Sequence, residues 1–197
     1  MPDGLLGLRE RKKLKTRKAI QEAAMRLFLE KGFQATTVEE IAEVVEISPS
    51  TFFNYFPSKE ALVLQDDLDP PLIAALDAQP LEVAPIAALR NAMRVVFSGL
   101  TPEQDAHFRQ RMALLVGDDH LRAAMLSQFA GMIAEVADVM RVRVGRSSSD
   151  FRVRNLAGAL VGVIMAVMVD VAEKPETDVI ELLDAALSHL EHGLPLE

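Results

Sequence analysis

The segment from Thr37 to Phe56, TVEEIAEVVEISPSTFFNYF, is the key to the architecture. Thr37-Val38-Glu39-Glu40 has capping-box spacing, in which the Thr hydroxyl and the Glu40 carboxylate satisfy each other's backbone donors at a helix start. Val38, Ile41, Ala42 and Val45 then form an apolar stripe about two turns long. After a break at Glu46-Ile47, Ser48 is a helix cap and Pro49 occupies the first helical position, so a third short helix is predicted to about Phe56.

Upstream, Ile20, Ala23, Ala24, Leu27 and Phe28 lie on one stripe of a helix predicted over 17–31 and ended by Gly32. Downstream, Pro57-Ser58 breaks the chain, Ser58 caps, and a fourth helix is predicted from Lys59 to about Leu68. Two short helices joined by a tight turn and braced by a longer one are the layout of a helix-turn-helix DNA reader. In that layout Ile41, Ala42, Val45, Phe52 and Phe56 form the small core that sets the angle between the helices.

Charge is divided unevenly along the chain. The net charge of −8 over 197 residues argues against DNA as a partner if taken as an average. Residues 1–60, however, carry ten Lys/Arg against nine Asp/Glu, and the remainder eleven against twenty. The first 18 residues hold seven cations against Asp3 and Glu10. This is a basic arm, read either as a solvated tail or as a phosphate-binding element, and the helix-turn-helix that follows favours phosphate.

The rest of the chain reads as helix with no strand periodicity. Pro85 opens a stripe to Leu100, and Thr101-Pro102-Glu103-Gln104 combines a capping box with a first-turn proline before a helix ending at Gly117. Asp118 or Asp119 starts another helix to about Val144. Long helices follow over 151–173 and 177–192, the last closed by Gly193. The absence of cysteine excludes disulfides and thiolate chemistry. Nothing at the N-terminus reads as a signal peptide, so a soluble cytoplasmic protein is expected. No membrane association is expected, because the longest uncharged run, Asn155 to Val169, is shorter than the ~20 residues of a spanning helix.

Residues from about Thr16 to Val63 resemble the DNA-binding domain of the TetR family of transcriptional repressors. The resemblance is carried by Ala23-Ala24, Leu27-Phe28, Gly32-Phe33, Thr37-Val38, Ile41-Ala42, Ser48, Thr51-Phe52-Phe53, Tyr55-Phe56 and Ser58-Lys59-Glu60-Ala61-Leu62. It implies an all-α homodimer of two domains per subunit. Residues 1–66 would form the arm and three-helix DNA-binding domain, and 67–197 a helical-bundle domain for ligand binding and dimerisation.

Residue by residue, the resemblance implies that Ser48 to Tyr55 is the recognition helix, with Pro49, Ser50, Thr51 and Asn54 facing double-stranded operator DNA. It further implies that Thr37, Tyr55 and Lys59 touch phosphates, Thr37 at a helix N-terminus suited to anions. Lys15 and Arg17, in the basic arm, are expected to add phosphate or minor-groove contacts. Three departures stand out. Glu46 sits where the family commonly has glycine, which demands either a positive φ at steric cost or another turn geometry. Phe53 replaces a frequent tyrosine, and Ser50 a frequent glycine.

For the C-terminal region the resemblance implies a small, largely apolar effector. Met93, Phe97, Phe108, Met112, Met125, Phe129, Met132 and Met165 are the candidate lining, methionine being an adaptable gap-filler as well as ordinary core. The stretch from Phe108 to Leu194 also resembles the ligand domain of the subgroup that includes mycofactocin-system regulators, which implies an acyl-CoA-like effector. Arg141, Arg143, Arg146, Arg152 and Arg154 form either a phosphate dock for it or a solvated cationic surface. Gly158, Gly162 and Ala166 give the helix over 151–173 a close-packing face, and with the helix over 177–192 it is expected to form the dimer interface.

No catalytic residue, metal or cofactor is expected. His189 and His192 lack a complete ligand set, and no nucleophile elbow, Walker loop or dinucleotide glycine pattern occurs. The alternative to a DNA-binding regulator is a helical adaptor or small-molecule-binding protein that does not bind DNA.

Overall fold

The computed structural model describes residues 7–65, 68–174 and 176–196. Asp3, the expected domain boundary at 66/67 and Pro175 lie outside them. The first helix, α1, spans Leu8–Lys31, so it begins nine residues before the helix predicted from the apolar stripe. Residues 8–18 are almost all Leu, Lys, Arg and Glu, which cost little as helix. The basic arm is therefore the exposed front of α1 and not an irregular tail. Gly32, at φ 90°, ends the helix by donating its N–H to the Phe28 carbonyl (2.9 Å).

Three short helices follow: α2 (Val38–Val44), α3 (Pro49–Phe53) and α4 (Ala61–Leu64). Both α3 and α4 are shorter than the sequence suggests. Beyond Phe53, Asn54 and Tyr55 turn back to the carbonyls three residues earlier (3.1 and 2.9 Å), a tighter winding that runs into Pro57. Ser58 Oγ accepts the Ala61 N–H at 3.3 Å, and at Gln65 the backbone is extended. Ile20, Ala24 and Phe28 from α1 are buried, as are Ile41, Ala42, Phe52, Phe56 and Leu62. Phe28 packs on Phe33 and Phe52 on Phe56, with ring centroids 5.0 and 6.0 Å apart. Val45 is only half-buried.

Contacts divide the chain into units 1–65 and 66–197. The second contains α5 (Asp69–Asp77), α6 (Pro85–Ser98), α7 (Pro102–Gly117), α8 (Asp119–Val144), α9 (Phe151–Glu173) and α10 (Val179–Glu191). No strand occurs among the described residues. Thr101 and Gln104 form the expected capping box at α7, and Asp118 caps α8 by accepting the His120 and Leu121 N–H groups (2.9 and 3.0 Å). α9 is the central rod, packed by α7, α8 and α10, while α6 lies between α5 and α10. Met112, Leu121, Met140, Leu160 and Leu187 are fully buried here.

Two polar clamps close this unit. Arg90 on α6 makes a bidentate bond to Asp184 on α10 (3.0 and 2.9 Å) and another to Glu191 (2.9 Å), and Arg94 adds a bond to Asp184 (2.7 Å). Arg90 holds the Asp184 carboxyl below the usual carboxylate range. The Arg143 guanidinium, at the end of α8, donates to the carbonyls of Leu76, Gln79 and Pro80 (2.8, 2.9 and 2.6 Å). Those carbonyls terminate α5 and the turn after it; those of Leu76 and Pro80 also accept the Gln79 and Val83 N–H groups (3.1 and 3.2 Å), so Arg143 adds a second donor to each.

α8 and α9 are each long and apolar enough to cross a bilayer, α9 with a stretch of mean hydropathy 2.0. The uncharged run alone thus understates the apolar length of α9. Only 28% of that stretch is buried within the chain, and 11% of the corresponding stretch of α8.

Candidate nucleic-acid interface and effector cavity

The turn between α2 and α3 is set by its hydrogen bonds. Ile47 donates to the Ala42 carbonyl (2.9 Å) and Glu46 to that of Glu43 (3.1 Å), the paired bonds of a Schellman ending. Such an ending puts one residue in the left-handed region, and here it is Glu46, at φ 55°. The same pair of bonds ends α8 and α10, where glycine, Gly145 and Gly193, takes that position. A side chain with a Cβ pays roughly 1–2 kcal/mol there, and glycine returns part of that gain as chain entropy. Glu46→Gly is accordingly expected to stabilise the N-terminal unit by about 0.5–1 kcal/mol. A rise in its thermal midpoint measures this, and an unchanged or lower midpoint would contradict it.

At the front of α2, Thr37 and Glu40 form the full capping box. The Thr37 N–H and hydroxyl donate to Glu40 Oε2 (2.8 and 3.0 Å), and the Glu40 N–H donates back to Thr37 Oγ1 (3.2 Å). Lys31 also pairs with Glu40. The Lys31 ammonium first, then the Thr37 donors, pull the Glu40 carboxyl down to about 2. The backbone N–H and the hydroxyl of Thr37, an expected phosphate ligand, are thus both engaged inside the protein.

α3 is capped by Ser48, whose Oγ accepts the Thr51 N–H (3.1 Å) and lies 2.8 Å from both Ser50 Oγ and Thr51 Oγ1. Pro49, Ser50, Phe53 and Asn54 form its exposed face, while Thr51 and Tyr55 are half-buried. Lys15 is exposed on α1.

Two expected phosphate ligands have other partners. Lys59 Nζ donates to the carbonyls of Phe33 and Thr36 (2.7 and 2.8 Å) and sits 4.2 Å above the Phe33 ring. Arg17 donates to the Tyr55 carbonyl and to Gln65 Oε1 (3.1 and 2.7 Å), with its guanidinium 4.2 Å over the Phe56 ring. Lys59 pins the loop between α1 and α2, and Arg17 ties the end of the α3 segment to α1. Their partners lie 23 to 48 residues away, too far for any local pattern to reveal.

In the C-terminal unit a cavity of about 200 Å³ lies between α7, α8 and α9, lined by Met112, Leu115, Val116, Met125, Met165, Ala166, Met168 and Val169. It gathers three of the eight expected lining residues. Met93 instead packs at the α6–α10 clamp. Phe97 lines a separate, polar recess of about 310 Å³ beside Asp105 and Arg109, and meets the buried Phe108 edge-on at 5.2 Å. Phe129 and Met132 lie on α8 and line none of these cavities. Met168 and Leu115 are cavity residues that the candidate set lacks.

The five-arginine group is not one dock. Arg143 holds the α5 carbonyls, Arg141 pairs with Asp138 (2.9 Å) and Arg146 with Asp150 (3.2 Å). Arg152 and Arg154 are exposed. Gly158 and Gly162, one turn apart on the same side of α9, meet different surroundings: a Cβ on Gly158 would lie 3.8 Å from Ile133 of α8, whereas one on Gly162 would meet nothing within 4 Å. His192 turns a ring nitrogen to the Ser188 carbonyl (2.7 Å). Among the described residues, no three His, Asp or Glu are placed to hold a metal ion.

A capped reader helix on a small three-helix core, beside a cationic helix and joined in one chain to an all-helical unit with an apolar cavity, defines a helix-turn-helix DNA-binding regulator. Residues 20–65 match the family described as bacterial regulatory proteins, tetR family, and residues 83–195 match the MftR C-terminal domain. The chain belongs to the TetR family.

It is 32% identical over 188 residues to the transcriptional regulator TcmR of Streptomyces glaucescens, covering 91% of this chain and 83% of TcmR. It is 25% identical over 178 residues to MftR of Mycobacterium tuberculosis, named as a mycofactocin biosynthesis regulator, covering 89% of each. Among solved structures it resembles the FadR repressor of Thermus thermophilus in complex with lauroyl-CoA, with 26% identity and a TM-score of 0.58 over 92% of this chain and 96% of FadR. NalD of Pseudomonas aeruginosa, a repressor of a multidrug efflux pump, shares the fold at 23% identity and a TM-score of 0.55, over 95% of this chain and 99% of NalD. These relatives are regulators, and the chain is a transcriptional regulator and not an enzyme. That removes the adaptor reading.

Proposed function

We propose that the protein is a homodimeric repressor that leaves its operator when a small, largely apolar effector enters the cavity between α7, α8 and α9. The observation that carries this reading is the lining of that cavity, four methionines among aliphatic side chains. Thioether chains repack around apolar ligands of different shape at little cost, so a 200 Å³ space can widen for a larger guest. The lauroyl-CoA bound by the related FadR makes an acyl chain the first ligand class to test.

The exposed apolar surface of α9, including Ala159, Gly162, Ala166 and Val169, favours dimerisation through α9 and α10. Such a surface is costly to leave in water, and an isologous contact covers it twice. α3 reads the operator and the front of α1, with Lys15, meets phosphates, while Arg17 and Lys59 hold the reader in position. The protein works in the cytoplasm. Effector binding needs only to favour the dimer form that holds DNA weakly.

The test uses the full chain, a duplex obtained by selection and lauroyl-CoA as probe. The expected result is a dimer by sedimentation, release of duplex on adding the probe, and loss of that release in Met165→Trp with duplex affinity unchanged. Release that persists in Met165→Trp would move the effector elsewhere. A monomer at micromolar concentration would overturn the dimer.

A further inference from the structure

We propose that α3 reads A·T base pairs, with the phenyl ring of Phe53 seated on a thymine 5-methyl group and the Asn54 amide on an adjacent adenine. The inference rests on α3 being the reading helix. Pro49, Ser50, Phe53 and Asn54 fall at i, i+1, i+4 and i+5 and make one exposed face. Phe53 is 53% exposed, while its neighbours Phe52 and Phe56 are fully buried. Its ring meets Phe52 edge-on at 5.3 Å, which fixes its direction without covering it. An isolated exposed Phe needs no explanation, but the chemistry around this one is restrictive.

From Ser48 to Tyr55 there is no charged side chain. Guanine is read through O6 and N7 most often by Arg or Lys, and cytosine through its amino group by Asp or Glu. α3 offers neither. The nearby cations Arg17 and Lys59 are held by backbone carbonyls. The Ser48 hydroxyl lies within 2.8 Å of those of Ser50 and Thr51, so the three are partly occupied with themselves. What remains is an apolar ring, which matches only the methyl group of thymine in the major groove, and a carboxamide, which matches the N6 donor and N7 acceptor of adenine. Phe53 also lacks the hydroxyl by which a tyrosine would bond a phosphate, so contact with a methyl group is the favourable use of its exposed area.

The experiment enriches duplexes from a random pool with the full-length protein, then measures affinity on the enriched duplex with each thymine replaced singly by deoxyuridine, which removes only the methyl group. One thymine per half-site is expected to lose about fourfold, the effect of withdrawing one buried methyl. Phe53→Ala should bind the parent duplex more weakly by at least that factor and be indifferent to the deoxyuridine at that position, and Phe53→Tyr should retain the discrimination. Replacing the adjacent adenine by its 7-deaza analogue should weaken the wild type and leave Asn54→Ala unaffected. A flat deoxyuridine scan, or a penalty that persists in Phe53→Ala, overturns this inference while leaving the regulator intact. If no duplex is enriched at all, the assignment of α3 as the reader fails and this inference fails with it. Phe53 is outside the core, so the thermal midpoint of Phe53→Ala should match the wild type and exclude unfolding as the cause.

Discussion

Phe52→Ala is expected to abolish operator binding by unfolding the N-terminal unit, even though Phe52 is not expected to touch DNA. Its side chain has no exposed surface and lies between the rings of Phe53 and Phe56, 5.3 and 6.0 Å away. Truncating such a phenylalanine costs about 3–5 kcal/mol through lost burial and the cavity left behind. A unit of this length buries a modest core and holds little more than that in reserve. Duplex affinity should fall at least a hundredfold, with a new low-temperature melting transition. The C-terminal unit has its own core in α6 to α10, so its helical signal should persist. Near-wild-type affinity in Phe52→Ala would show that α3 does not depend on this core.

Steep salt dependence is the second large effect. Arg9, Arg11, Lys12, Lys13, Lys15 and Lys18 stand on the front of α1. Of these, Lys18 lies 3.6 Å from Glu22 in an exposed pair, which is worth little. If the two arms of a dimer meet six to ten phosphates, affinity falls by roughly 10³–10⁵ between 50 and 200 mM salt as condensed counterions are released. Replacing Lys12, Lys13 and Lys15 together by Gln should lower the slope of log affinity against log salt by about 0.9 for each phosphate no longer neutralised. Preference among sequences should stay the same, because phosphate contacts position the protein and carry no base information. A shallow slope in the wild type would remove the arm from the interface.

These two effects separate the parts of the head that differ most in legibility. The arm is visible as a run of charge, but its form is not. A local surplus of cations says nothing about backbone state, and only the continuous helix from Leu8 shows that the charges stand on a rod. The capping boxes at Thr37 and Thr101 and the Ser48-Pro49 start of α3 are readable because a cap involves residues no more than three apart. The strained turn is readable for the same reason: a tight exit from a two-turn helix needs a left-handed residue, and Glu46 is the residue available.

Roles that depend on distant partners are not readable. Lys59 and Arg17 have the charge of phosphate ligands, yet each is taken up by carbonyls that only the folded chain brings near. The methionines show the same limit. Met93, Met112 and Met132 all sit on apolar stripes, but only Met112 of the three borders the cavity between α7, α8 and α9. Helical periodicity tells which way a residue faces on its own rod, not which rod stands opposite.

Most of the helices, their caps, the reader motif and the family follow from the order of residues, because they rest on interactions within about one turn and on patterns that survive without packing; α5 and the first nine residues of α1 do not. Folding in three dimensions was needed to settle which cations are free to meet DNA, which apolar side chains enclose a cavity, and that Gly158 stands against Ile133 of α8 while Gly162 has no neighbour within 4 Å. Those outcomes depend on the angles and offsets at which rigid helices dock, and these are set by the shapes of whole faces rather than by any neighbouring residue.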